Sequence, residues 1–256
     1  MTLNPILKVL STFKKNRVRS LLIGGQACII YGAAEFSRDS DFVILCTLEN
    51  LKCLQQALDT LKAKLIYVPP LEMNYLEQGH ACHFRCTAKE VKNLRIDVIS
   101  KLRGCDTFAK LWERKKTVPL KNKVSIDVIG LRDLVQSKKT QRDKDWFMLK
   151  RLMDNDIILN KHNPSGGHLR WWFRECRDVD LLIELAKKYP KIAKECLVDR
   201  PLLASAIIPD IQKLNLQLHD EEMSERQKDI EYWAPLKREL EILRHKSRMP
   251  PYASPW

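Results

Sequence analysis

The stretch Leu22-Ile-Gly-Gly-Gln-Ala-Cys-Ile-Ile-Tyr-Gly-Ala-Ala-Glu-Phe-Ser-Arg-Asp-Ser-Asp-Phe-Val-Ile44 decides the reading of this chain. A short apolar run stops at Gly24-Gly25, as a buried strand does when it turns into a helix. After that helix and a turn, Asp39 and Asp41 open a second apolar run. Side chains two apart on a strand share one face, so the two carboxylates stand side by side. Such a pair repels itself unless a cation lies between the groups, and a hard divalent ion favours oxygen donors together with phosphate oxygens. Gly24 and Gly25, which carry no Cβ, let backbone amides at the start of the helix come close to a phosphate.

Outward from this stretch the pattern alternates. Residues 3–13 carry apolar side chains at helical spacing, 19–23 and 41–46 read as strands, and 49–61 is a helix with Leu51, Leu54, Leu58 and Leu61 on one side. A strand over 64–68 is closed by Pro69-Pro70, and β-like runs follow at 80–86, 94–99 and 124–129. This predicts an α+β domain built on a small mixed sheet. From residue 131 the pattern is helical, over 131–137, 144–153, 169–189 and 221–246. Asn163-Pro-Ser-Gly-Gly167 interrupts it and reads as a linker, giving a first domain over 1–160 and a helical region over 161–256. The proline-rich tail 249–256 is expected to be extended.

The ordered set Gly24-Gly25, Ser37-Arg38-Asp39-Ser40-Asp41 and Arg95-Ile-Asp97 resembles the signature of the nucleotidyltransferase superfamily related to DNA polymerase β, in the minimal form found in abortive-infection toxins. The block from Ile129 to Asp145, with Lys138 and Arg142, is similar to the helical element that closes that family's core. The likeness covers residues ~20 to ~155. It departs from the family at Ser40, where an apolar residue is common. The resemblance implies Mg²⁺- or Mn²⁺-dependent transfer of a nucleoside monophosphate from an NTP to an acceptor hydroxyl. Asp39, Asp41 and Asp97 would be the catalytic and metal-binding carboxylates, with Asp97 taking the hydroxyl proton. Gly24, Gly25, Ser37, Arg38, Lys138 and Arg142 would meet the nucleotide's phosphates. Asp127, in the similar run Ser125-Ile-Asp-Val-Ile129, is the rival for the third carboxylate.

Composition narrows the partners. The net charge is +13. Residues 1–160 hold 28 Lys and Arg against 17 Asp and Glu, whereas residues 161–256 hold 17 against 15. The basic excess therefore lies in the first part, densest over 103–123 and 138–151, and points to a polyanion such as RNA, with a tRNA-like acceptor favoured. A toxin–antitoxin-like or nucleic-acid-binding module on the same fold, or transfer to a small molecule or protein, are the alternatives. No apolar run approaches the ~20 residues of a membrane helix, and the scattered cysteines fit a reducing cytoplasm. In His80-x-Cys82-His83-x-x-Cys86 the tight spacing on a strand sends ligands to opposite faces, which speaks against zinc. One histidine there either approaches the acceptor or is a hydrogen-bonded structural residue. Trp171 and Trp172 read as a helix–helix seam or as a stacking platform.

Overall fold

The computed structural model describes residues 5–34, 36–119 and 125–247. It is an α+β structure with a seven-stranded mixed sheet and twelve α-helices among those residues. The chain divides into two compact units: residues 1–30, 34–137 and 231–256 form the first, and 31–33 with 138–230 form the second. The expected boundary near residue 160 is thus displaced, and the first unit takes back the end of the chain. The reason lies in Asn163–Gly167, which is no interdomain linker. Its Ser165 caps helix α8 (Gly166–Glu175) by accepting a hydrogen bond from the His168 amide, so the turn belongs inside the helical unit.

In the first unit, helix α1 (Pro5–Lys15) leads to β1 (Ser20–Ile23), α2 (Gly24–Ile30), β2 (Asp39–Ile44) and α3 (Leu48–Thr60). Then follow β3 (Ala63–Leu65), α4 (Met73–Gln78), β4 (Cys82–Cys86), β5 (Arg95–Ile99), α5 (Phe108–Glu113), β6 (Lys116–Pro119), β7 (Ser125–Val128) and α6 (Leu131–Ser137). The strand order is β3-β4-β5-β2-β1-β7-β6. One sheet face carries buried Leu22, Phe42, Phe84, Ile96, Val98 and Val128. Phe13 of α1 lies 4.6 Å, ring to ring, from Phe42 on this face. Asn50 of α3 is 4 % exposed because its amide is spent on backbone: it accepts from Arg19 N and donates to the Arg19 and Leu45 carbonyls, tying the helix to the ends of β1 and β2.

The second unit is helical: α7 (Asp143–Asn160), α8, α9 (Val179–Lys188), α10 (Pro190–Cys196), α11 (Ala204–Ile207) and the first part of α12 (Ile211–Ser247). Trp172 and Phe173 are fully buried, and Trp172 Nε1 donates to Asp156 at 2.7 Å, so the tryptophan pair is a core seam. The expected helix over 169–189 is two helices, broken where Asp178 caps the second by accepting from the Leu181 amide. Arg200, 4 % exposed, donates to the Phe173 and Cys176 carbonyls at the end of α8 and forms a two-pronged pair with Glu221. The expected extended tail at 249–256 lies outside the described residues.

Candidate functional site

The sheet's register builds the site. Parallel pairing of β2 with β5 sets Asp41 opposite Asp97 and Asp39 opposite Arg95, while antiparallel pairing of β4 with β5 sets His83 opposite Asp97. Because alternation is strict along each strand, His83, Asp97 and Asp41 form one row across three neighbouring strands. Arg85, Arg95 and Asp39 form the next row on the same face. The three carboxylates singled out from the sequence therefore share a face on adjacent strands. Asp127 does not join them: β1 and β2 separate its strand from β5, and its carboxylate accepts from Thr117 Oγ1 at 2.6 Å.

Gly24 and Gly25 are needed where they stand. Gly24 has φ +65°, in the left-handed region, and a Cβ there would lie 2.0 Å from Asp41 Oδ2. A Cβ on Gly25 would lie 2.5 Å from Ser37 Oγ. The space expected to admit a phosphate next to the glycines is occupied in part by the site's own side chains, so the glycine pair first serves close approach of Asp41 and Ser37. Gln26 holds the same turn by donating to the Ser37 carbonyl at 2.8 Å. Arg38 is exposed, its guanidinium 5.9 Å from the centre of the exposed Phe36 ring.

Asp97 has two neighbours to which sequence reading assigned no part in binding it. Arg95 Nε donates to Asp97 Oδ1 at 2.8 Å, and His83 Nδ1 lies 2.9 Å from the same oxygen. Arg95 also approaches His83 Nδ1 at 3.1 Å, and its guanidinium stands 5.8 Å from the Tyr67 ring centre. The i, i+2 spacing of Arg95 and Asp97 was the signal for this contact, since it places both on one face of β5. The other histidine, His80, is 1 % exposed and meets Glu239 of α12 at 2.7 Å, a structural role. Ser40 points to the opposite, buried face with no exposure, and its hydroxyl has no hydrogen-bond partner among the described residues. That orientation explains why an apolar residue suits the position.

Lys138 and Arg142 fall in the second unit. Lys138 is buried, not on an exposed helix, and pairs with Asp145 Oδ1 at 2.8 Å, while Arg142 and Thr140 bind Asp145 Oδ2 at 2.6 and 2.7 Å. Burial opposes ionisation of Asp145, but the two cations outweigh it and hold the carboxyl below its usual value. The basic run after residue 103 is partly neutralised as well. Arg114 meets Asp106 and Asp133, and Lys115 lies 4.1 Å over the Trp112 ring and 3.8 Å from Asp127.

Among the described residues no three His, Cys, Asp or Glu side chains gather as a ready metal cage. Cys82 and Cys86 are buried on the face away from His83, and burial pushes the Cys82 thiol up to about 12. No helix of the described residues is long and apolar enough to cross a membrane. No family model matches the chain, and a search of curated proteins finds no match.

Proposed function

We propose that this protein transfers a nucleoside monophosphate from an NTP to an acceptor hydroxyl, with RNA as the acceptor. The observation that carries the reading is the cross-strand pair of Asp41 and Asp97, with Asp39 one step along the same face and the Asp41 carboxylate laid against Gly24. Like charges set opposite each other on neighbouring strands cost stability, and a folded protein keeps such a pair where the charges have a use. The donors are all carboxylate oxygens, which fits Mg²⁺ or Mn²⁺ and fits thiol-seeking metals poorly. Asp39, Asp41 and Asp97 would hold the cation, which when bound neutralises phosphate charge and the negative charge that develops during transfer.

In this reading the chain's own groups have separate tasks. Asp41 is fixed by its seat on Gly24, and Ser37 lies beside it on Gly25. Asp97 keeps both of its side-chain contacts on Oδ1, and Oδ2 would serve the cation or the acceptor. The acceptor oxygen bonds to the α-phosphorus, the bond to the β-phosphate oxygen breaks, pyrophosphate departs with the electron pair, and Asp97 takes the hydroxyl proton. The excess of positive charge in the first 160 residues supports a polyanionic acceptor.

The test is to incubate the purified protein with each labelled NTP, Mg²⁺ or Mn²⁺, total RNA and lysate protein. Label in RNA is expected. Label in protein or small molecules instead removes the RNA acceptor, and no label in any fraction removes the reading. Reversing the charge of Lys115 and Lys116 should weaken RNA binding. It should also flatten its log–log salt dependence, by about 0.7 per lost phosphate contact on single strands. Coincident slopes for wild type and variant would rule these lysines out of the RNA surface.

A further inference from the structure

Two groups, Arg95 and His83, converge on one oxygen of Asp97 and also on each other, and their protons do not suffice for all three contacts. Arg95 can only donate. His83 Nδ1 lies 2.9 Å from Asp97 Oδ1 and 3.1 Å from Arg95 Nη2, yet a ring nitrogen either carries a proton and donates or lacks one and accepts. If it donates to Asp97 it cannot accept from Arg95, and if it accepts from Arg95 it turns a lone pair towards the carboxylate. One side of the triangle is therefore always unsatisfied. The group is also not sealed: the side chains of His83, Arg95 and Asp97 are 18, 15 and 17 % exposed. A closed structural ion pair looks different, as Asp145 shows, with both oxygens used and 1 % exposure.

Arg95 is placed to do more than neutralise. It stands opposite Asp39 across β2–β5 and two residues from Asp97, so its positive charge lies on the face that carries all three carboxylates. We propose that Arg95 is an exchangeable counter-cation: it holds Asp97 in the metal-free protein and yields that carboxylate when a divalent cation binds. It is a positioning residue that acts through Asp97. The inference rests on Asp97 being a cation ligand, though not on NTP being the substrate. A guanidinium within ~5 Å of a divalent ion repels it by enough, even at the dielectric constant of water, to weaken binding about tenfold.

The experiment measures Mn²⁺ binding to the full-length protein, without nucleotide, by the electron-spin resonance of free Mn²⁺. Arg95→Gln is expected to tighten binding about tenfold, Arg95→Lys to stay near wild type, and the gain to vanish in Arg95→Gln/Asp97→Asn. Binding by Arg95→Gln no tighter than by wild type overturns the proposal. A second measurement needs no variant: phenylglyoxal modification of Arg95, read by peptide mass, should rise when Mn²⁺ is added to wild type. Unchanged modification overturns the proposal also if Arg95→Gln does not fold. The transfer assay separates the two readings. Tighter Mn²⁺ binding without nucleotide transfer supports the role of Arg95 and removes the nucleotidyltransferase, whereas transfer with no gain in Mn²⁺ affinity removes the role of Arg95 alone.

Discussion

Asp97 in the sheet and Asp145 in the helical unit are both aspartates beside an arginine, yet they are built for different ends. Asp145 is enclosed: Lys138 takes one oxygen, Arg142 and Thr140 take the other, and 1 % of the side chain is exposed. Asp97 meets Arg95 and His83 through a single oxygen, is one-sixth exposed, and faces a second carboxylate across the strand. A carboxylate whose valences are filled by the protein stabilises the fold. Under the proposed function, one left partly engaged beside a like charge is where the cation would bind.

The strongest way to break this contrast is Asp41→Asn, which keeps shape and removes the charge opposite Asp97. Nucleotide transfer should fall at least about a thousandfold, with an unchanged circular-dichroism spectrum. Wild-type turnover at saturating Mg²⁺ would end the assignment.

Asp145→Asn tests the other side of the contrast. It leaves Lys138 buried without a carboxylate, and urea unfolding should show a loss of about 3–5 kcal/mol. The pH dependence follows from a folded pKa held below the unfolded one. The stabilisation is complete above about pH 4 and is lost as pH falls through the folded value, so wild type and variant should converge in acid. A constant gap down to pH 2 would contradict the pairing.

Smaller effects sharpen the site. Gly24→Ala places a methyl group at φ +65° against Asp41 and should cost about 1–3 kcal/mol in thermal unfolding, with weaker Mn²⁺ binding. Gly25→Ala should cost less, since Gly25 is not in the left-handed region, although its Cβ would still press on Ser37 Oγ at 2.5 Å and Ser37 Cβ at 2.8 Å. Ser40→Ala should be neutral or stabilising by up to about 1 kcal/mol, because the hydroxyl is buried without a partner among the described residues. Clear destabilisation by Ser40→Ala would mean that the hydroxyl is bonded after all.

Much of the sheet was legible in the sequence. The apolar runs at β1, β2, β4, β5 and β7 are bounded by glycine, proline or charge, and the Asp39/Asp41 spacing placed both residues on one face. What stayed hidden has physical reasons. Strand β6 is an edge strand of exposed lysine, threonine and proline, so it shows charge instead of apolar alternation. Helices α4 and α5 have six residues each, too few for a helical period to emerge. The sequence marks His83 and Asp97 on successive β-like runs, but which residue stands opposite which is set by pairing register, a long-range property. Lys138 and Arg142, expected at the nucleotide's phosphates, instead pair with Asp145 of the same basic run, a contact that the run's net positive charge conceals.

Helix α12 gives the first unit an unusual schedule. His80 meets Glu239 at 2.7 Å, and a Cβ on Gly79 would lie 3.6 Å from the Tyr232 hydroxyl and 3.7 Å from Leu236, so a unit begun near residue 5 is finished by residues beyond 231. On a ribosome adding roughly 5–20 residues per second, residues 138–230 take about 5–20 s to emerge. During that interval the sheet with its carboxylate row has been synthesised while the segment that covers the α4–β4 turn has not. A nascent chain therefore waits with His80 lacking its Glu239 partner, and completion of the first unit follows translation of the helical unit in between.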